Sequence, residues 1–197
     1  MMRIATLGPA GSNHEKATRA YLRFHGLPHA ELSFFETYSE ALELLRGGKI
    51  DFFTQVCAHP EVAITIEKFH REIFLVDSFI GPTRPMGVLT RSDVETPRSL
   101  GYMIATAGYF DQSRWSTITT EISNSAVAAG LLAGKYDSGF TTTDLADQYP
   151  GRFRIEEYIG EVDVCWLVYG RERVRKGEIT AWRDAPVSRL FTRERAA

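Results

Sequence analysis

The chain has 197 residues, a net charge of −2 and an ordinary mix of apolar and charged residues. That length suits one or two domains with a real hydrophobic core. The near-neutral charge excludes a global electrostatic pull toward nucleic acid or anionic membrane. No apolar run is long enough to span a bilayer, and the opening Met1-Met2-Arg3-Ile4 runs into a turn too soon for a signal peptide. The expected compartment is therefore the cytoplasm. Two cysteines, Cys57 and Cys165, make no disulfide framework.

In chain order, Ile4 to Leu7 reads as a short buried strand, stopped by the turn residues Gly8-Pro9-Ala10-Gly11-Ser12-Asn13. A helix from Asn13 to Phe24 follows, capped by Ser12 or Asn13. Leu32 to Phe35 is a second strand, Ser39 caps a helix that ends at Gly47-Gly48, and Ile50 to Val56 is a third strand. This β-α-β-α-β order predicts a parallel sheet with right-handed crossovers. Ile64 to Ile73 reads as helical and Phe74 to Ile80 as extended. Gly81-Pro82-Thr83-Arg84-Pro85 marks a lobe boundary. The second lobe is then residues 83–161, and the first is 1–82 plus 162–197.

In the second lobe, Met86 to Thr90 and Tyr102 to Thr106 read as strands, followed by a helix reaching Trp115. Ser123-Asn124-Ser125 caps a helix that stops at Gly134, Ser138 to Thr141 is a strand, and Thr143 caps another helix. Val162 to Tyr169 is a strong strand that returns to the first lobe. The tail from Arg171 holds seven Arg and one Lys against three Glu and one Asp. It reads as a solvated helix or frayed end, with a homodimer contact as the alternative.

Turn-plus-helix junctions recur at Gly8 to Asn13, Ala107 to Tyr109, Ser123 to Ser125 and Thr141 to Thr143. Each offers free backbone N–H groups and a favourable helix dipole to an anion. Several at one sheet edge frame the usual crevice of an open α/β fold. Gly11, Ser12, Asn13, Thr106, Ser123, Asn124, Ser125 and Thr142 are accordingly the expected contacts for a small carboxylate. The glycine loop lacks the Gly-Lys-Ser/Thr of a phosphate-binding loop, so no nucleotide cofactor is expected. At the third strand's end, Gln55-Val56-Cys57-Ala58-His59-Pro60 places a thiol and an imidazole two residues apart, a candidate acid–base pair, with Gln55 beside it. A Cys-x-His pair with no second ligand cluster predicts no metal. Cys165 and Trp166, adjacent on a strand, must face opposite sides. His14, next to the glycine loop, is placed at the cleft.

Thr6-Leu7-Gly8-Pro9-Ala10-Gly11-Ser12 resembles the opening of prephenate dehydratase domains, and the order of elements stays compatible from about Arg3 to Gly170. The resemblance implies a two-lobed, type II periplasmic-binding-protein-like α/β fold with a ligand cleft between the lobes. It also exposes departures. Where dehydratases carry Pro-[Ile/Val]-Glu-Asn-Ser, this chain has Val56-Cys57-Ala58-His59-Pro60. Where they carry Thr-Arg-Phe, it has Val164-Cys165-Trp166. In the family that threonine donates the proton that expels the ring hydroxyl, and Val164 has none to give. No regulatory ACT domain is expected after Gly170. Val164-Cys165-Trp166, Thr142-Thr143-Asp144-Leu145-Ala146 and Pro85-Met86 are similar to the bacilysin-pathway prephenate decarboxylases.

The implied function is a lyase of specialised metabolism acting on prephenate or a related cyclic carboxylate by decarboxylation and proton transfer. His59 and Cys57 would be its catalytic residues, with Cys165 and Trp166 among the substrate contacts. Three alternatives stand beside it: a thiol-dependent enzyme on an aromatic or tropone intermediate, as in the tropodithietic acid pathway; a true dehydratase of phenylalanine synthesis; and a non-catalytic anion-binding protein.

Overall fold

Capping side chains set where the helices of this chain begin. The computed structural model describes residues 1–174, 177–179, 181 and 182. Its elements are β1 (Arg3–Leu7), α1 (Asn13–Phe24), β2 (Glu31–Phe35), α2 (Tyr38–Arg46), β3 (Phe52–Val56), α3 (Val62–Phe69), β4 (Phe74–Pro82), β5 (Met86–Arg91) and β6 (Ser99–Met103). Two 3-10 turns, Ile104–Tyr109 and Gln112–Arg114, lead to β7 (Thr117–Glu121), α4 (Asn124–Leu132), β8 (Ser138–Thr142), α5 (Asp144–Gln148), β9 (Phe153–Gly160) and β10 (Asp163–Gly170).

The strands form two mixed sheets, ordered β2-β1-β3-β10-β4 and β7-β6-β8-β5-β9. In the first, β1 runs parallel to β2 and β3, and β10 runs antiparallel to β3 and β4. In the second, β6 is parallel to β7 and β8, while β5 is antiparallel to β8 and β9. The result is a two-lobed, periplasmic-binding-protein-like α/β fold. Ala5, Phe35, Phe53 and Tyr169 join α2 residues in one apolar core, and Val88, Leu100, Phe140, Val127 and Leu131 serve the other sheet.

The chain crosses between the sheets twice, and the two crossings bond to each other. Thr83 N–H donates to Val162 O at 2.9 Å, and Val162 N–H donates to Thr83 Oγ1 at 3.1 Å. Lys16 Nζ binds Thr83 O and Glu161 Oε1. The Arg84 guanidinium bridges Gly11 O and the Asp144 carboxylate. Both connectors are thereby held against the start of α1.

Several boundaries differ from those expected. Thr37, not Ser39, caps α2: its hydroxyl accepts from Glu40 N–H at 3.2 Å, and Glu40 accepts from Glu36 N–H at 2.8 Å. This is a variant of the capping box, with the glutamate reaching the N–H just before the cap residue rather than that of the cap itself. Gly48, at φ +64°, then turns the chain out of the helix. α3 stops at Phe69, four residues before Ile73. β6 ends at Met103 because the Thr106 hydroxyl donates to Met103 O at 2.7 Å and folds the chain into a 3-10 turn. No α-helix reaches Trp115, since Asp111 accepts from Ser113 N–H and holds a second short turn. Thr143 stands at the N-cap of α5 as expected, but its Oγ1 donates to Pro85 O instead of accepting from the helix. β7 and β9 were not anticipated. The readings of the Arg-rich tail from Arg171 fall mainly on residues 175, 176, 180 and 183–197, outside the described residues.

Three buried hydroxyls tie α1 to the first sheet. Thr18 Oγ1 donates its single proton to His14 O at 2.8 Å, so Thr54 donates to Thr18 and Thr6 donates to Thr54, each at 2.7 Å. Replacing Thr54 with Val keeps the shape but breaks both inner links. The expected loss is about 1–3 kcal/mol. A urea titration should show a lower midpoint at unchanged slope.

Candidate functional site

A cavity of about 100 Å³ lies between the sheets, at the carboxyl ends of β1, β3 and β6. The first lobe supplies Ser12, Asn13 and His14 from the start of α1, and Val56, Ala58 and His59 from the end of β3. It also supplies Val164 and Trp166 from β10. The second lobe supplies Met86, Met103, Thr106, Tyr109 and the Ser123-Asn124-Ser125 start of α4. A larger groove of about 430 Å³ lies at the other end of α4, beside Gly134. It is lined by Arg91 and Arg152, which are already bonded to Asp93 and to main-chain carbonyls. The smaller cavity holds the histidines and the helix N-termini, which makes it the candidate site.

No Lys, Arg, Asp or Glu lines the cavity among the described residues. Attraction for an anion must come from main-chain dipoles. Ser12 caps α1 by accepting from Glu15 N–H at 3.3 Å, and Ser123 caps α4 by accepting from Ala126 N–H at 3.1 Å. The first amides of each helix, those of Asn13, His14, Asn124 and Ser125, have no intrahelical partner. They carry the positive ends of two helix dipoles to one space. Asn124 Oδ1 is buried there without a partner, while Asn13 Oδ1 is held by Arg84 N–H at 2.7 Å.

The two imidazoles sit on the first-lobe wall. His14 packs edge-on against Trp166, with centroids 5.1 Å apart, and its Nε2 lies 3.3 Å from Tyr38 Oη. Burial, and to a lesser degree the positive charge His59 can carry, lower its pKa to about 3. His59 packs edge-on against the same Tyr38 at 4.8 Å. Its Nδ1 accepts from Glu61 N–H at 3.2 Å, so Nε2 carries the proton of the neutral ring. Burial lowers its pKa too, against a smaller opposing pull from Glu61. Tyr38, absent from the sequence expectations, thus touches both histidines. Only the packing of α2 brings it there.

Ser12, Asn13, His59, Thr106, Ser123, Asn124, Ser125 and Trp166 meet in the cavity as the sequence suggested, and His14 joins them. Others do not. Gly11 N–H is committed to the Glu15 carboxylate at 2.6 Å, which holds that carboxyl below its usual range. Gln55 is fully buried on the opposite face of β3 from Val56, with Nε2 donating to Thr65 Oγ1. Thr142 pairs with Met86 at the end of β8, outside the cavity lining. Cys57 is exposed, and Cys165 packs on the first-lobe core, on the other face of β10 from Trp166. The expected Cys57/His59 acid–base pair is therefore corrected. The strand ends at Val56, and the following turn directs the thiol away while His59 stays in the cavity.

Acid should destabilise the protein through His14. Its folded pKa of about 3 lies below the ordinary value near 6.5, so between them the unfolded chain binds the extra proton. Stability is then present above 6.5 and lost as pH falls toward 3, at up to about 1.4 kcal/mol per pH unit. Thermal melts across that range should show the decline, and His14→Gln should flatten it.

No family profile matches this chain, and no curated protein does. Solved structures do. The prephenate dehydratase of Arthrobacter aurescens in complex with L-Phe superposes with a TM-score of 0.65 at 17% identity, over 90% of this chain and 62% of that one. The Staphylococcus aureus prephenate dehydratase gives 0.60 at 12% identity, over 87% and 67%. The periplasmic VFT2 domain of Bordetella pertussis BvgS gives 0.54 at 14% identity, over 86% and 80%. The chain thus spans about 62% of the length of the first of these. The fold is that of prephenate dehydratase catalytic domains and of periplasmic binding proteins. No helix among the described residues is long and apolar enough to cross a membrane.

Proposed function

We propose that the cleft holds prephenate or a closely related cyclic, unsaturated carboxylate, and that the protein is a lyase removing the ring carboxylate without expelling the ring hydroxyl. The supporting observation is the contrast within one cavity: Val164, with no proton to give, lies on β10, while two imidazoles lie on neighbouring segments of the same lobe. The two helix N-termini suit the carboxylates of such a ligand, and Trp166, Val56 and Met86 suit its ring.

In this reading the bond from ring carbon to carboxylate breaks, carbon dioxide leaves, and the electron pair flows into the ring. A proton must then reach a ring carbon. The bound anion favours protonated His59, offsetting the burial that keeps it neutral in the empty cleft. Its Nε2–H gives the proton and the ring returns to neutrality. The exposed position of Cys57 and the rearward position of Cys165 leave no thiol in the cavity to support a thiol-dependent reaction.

Incubation with prephenate at neutral pH, against a protein-free control, tests the proposal by mass spectrometry. A product that has lost carbon dioxide but kept the ring hydroxyl supports it. Phenylpyruvate, which has lost water as well, would establish a dehydratase instead. Prephenate recovered unchanged but raising the melting temperature would establish a binding protein.

A further inference from the structure

We propose that Cys57 and Cys165, outside the cavity, form a reversible disulfide with a small disulfide such as oxidised glutathione as the oxidant. The register of β3 and β10 places them together. Val56 opposes Trp166, and the strands run antiparallel, so Cys57 falls opposite Cys165 one step further. Although the paired register ends at Val56, one further bond holds the next step together: Cys57 N–H donates to Cys165 O at 2.9 Å. Directly opposed residues of this hydrogen-bonded kind have Cα atoms about 5.5 Å apart and side chains on one face. Disulfides span Cα separations of roughly 4.4–6.8 Å. Burial, and to a lesser degree the neighbouring Cys57, push the Cys165 thiol up. These are the only two cysteines of the chain, so neither has a competing partner within it.

Their unequal exposure assigns the order of events. Cys57 is exposed and Cys165 is partly covered. The Cys57 thiolate attacks a sulfur of oxidised glutathione, breaking its disulfide and releasing one glutathione thiolate. Cys165, as its thiolate, then attacks the Cys57 sulfur and releases the second glutathione. Two protein thiols are oxidised, one glutathione disulfide is reduced, and the two protein protons pass to the departing thiolates. The bridge would close the β3–β10 seam at the first residue of the turn that carries His59, whose N–H bonds Val56 O at 3.1 Å. It would therefore staple the cavity wall from behind without touching the ligand.

The test treats the reduced full-length chain with oxidised glutathione and follows intact mass and thiol content after denaturation. The expected result is loss of both thiols, a mass lower by two hydrogens, a monomer on a non-reducing gel, and full reversal by dithiothreitol. A peptide map should contain the Cys57–Cys165 cross-link. Cys165→Ser should instead accumulate a glutathione adduct at Cys57, and Cys57→Ser should slow loss of the remaining thiol by about tenfold or more. Wild-type protein that keeps two free thiols, stops at a stable glutathione adduct, or cross-links between chains would overturn the proposal.

Discussion

His59→Asn should lower kcat for prephenate by about 10²–10⁴-fold, the usual worth of a positioned acid, with KM little changed. Asparagine is chosen for its geometry. Its Oδ1 can take the place of the imidazole Nδ1 that accepts from Glu61 N–H at 3.2 Å, so the turn after β3 keeps its bond. What disappears is the protonated Nε2 on the cavity side. Steady-state kinetics with mass-spectrometric product detection measures the effect, and a melting curve close to wild type separates it from unfolding. A variant retaining full kcat would remove His59 from the chemistry. The pH profile adds a second check. The acid form of His59 is the active one and burial lowers its pKa, so kcat/KM should fall as pH rises above that lowered value. Acid activates the site but weakens the fold through neutral His14, whose pKa is held near 3. The useful pH range is bounded on both sides by two histidines that share one tyrosine.

The scaffold was legible wherever local chemistry was strong. The Gly8 to Ser12 loop, the Ser12 and Ser123 caps and the apolar strands β1, β3 and β10 stand where the sequence put them. The Thr37-x-x-Glu40 spacing carries a cap signal of its own, which competes in sequence with Ser39 nearer the apolar run. β7 and β9 were missed for a different reason. Both are edge strands with many half-exposed positions, so hydrophobic periodicity is faint there, although Thr117-Ile118-Thr119-Thr120 has the β-branched content of a strand. The site was legible as a set of helix starts and a strand-end histidine. The fate of the thiols was not, because it depends on which face each residue takes after β3 ends. Gln55 was misplaced by one step of the pleat. Tyr38 carries no signal in sequence, since only tertiary packing brings a helix residue between two distant histidines.

Tyr136→Ala should cost about 3–5 kcal/mol, the range for removing a large buried aromatic. Tyr136 is only 1% exposed, and its hydroxyl donates to Val127 O at 2.8 Å. Its ring fills a slot that exists because residues 101 and 130 are glycine. A methyl group at either position would overlap the Tyr136 side chain. One aromatic ring thereby fastens α4 to β6, and α4 begins with the Ser123-Asn124-Ser125 edge of the cavity. Denaturant unfolding of Tyr136→Ala and Tyr136→Phe separates the ring from the hydroxyl, whose loss alone should cost about 1 kcal/mol. Gly101→Ala supplies the converse. In the wild-type background its methyl collides with the ring and should destabilise by about 1–3 kcal/mol or more. In the Tyr136→Ala background the same methyl enters the vacated slot, so its cost should shrink. A double-mutant cycle should therefore give a coupling above about 1 kcal/mol. Additive effects would mean that the second lobe repacks around α4 without the wedge, and that the α4 edge of the anion site is held by Ser123 and Thr141, whose hydroxyl donates to Asn124 O, rather than by this ring.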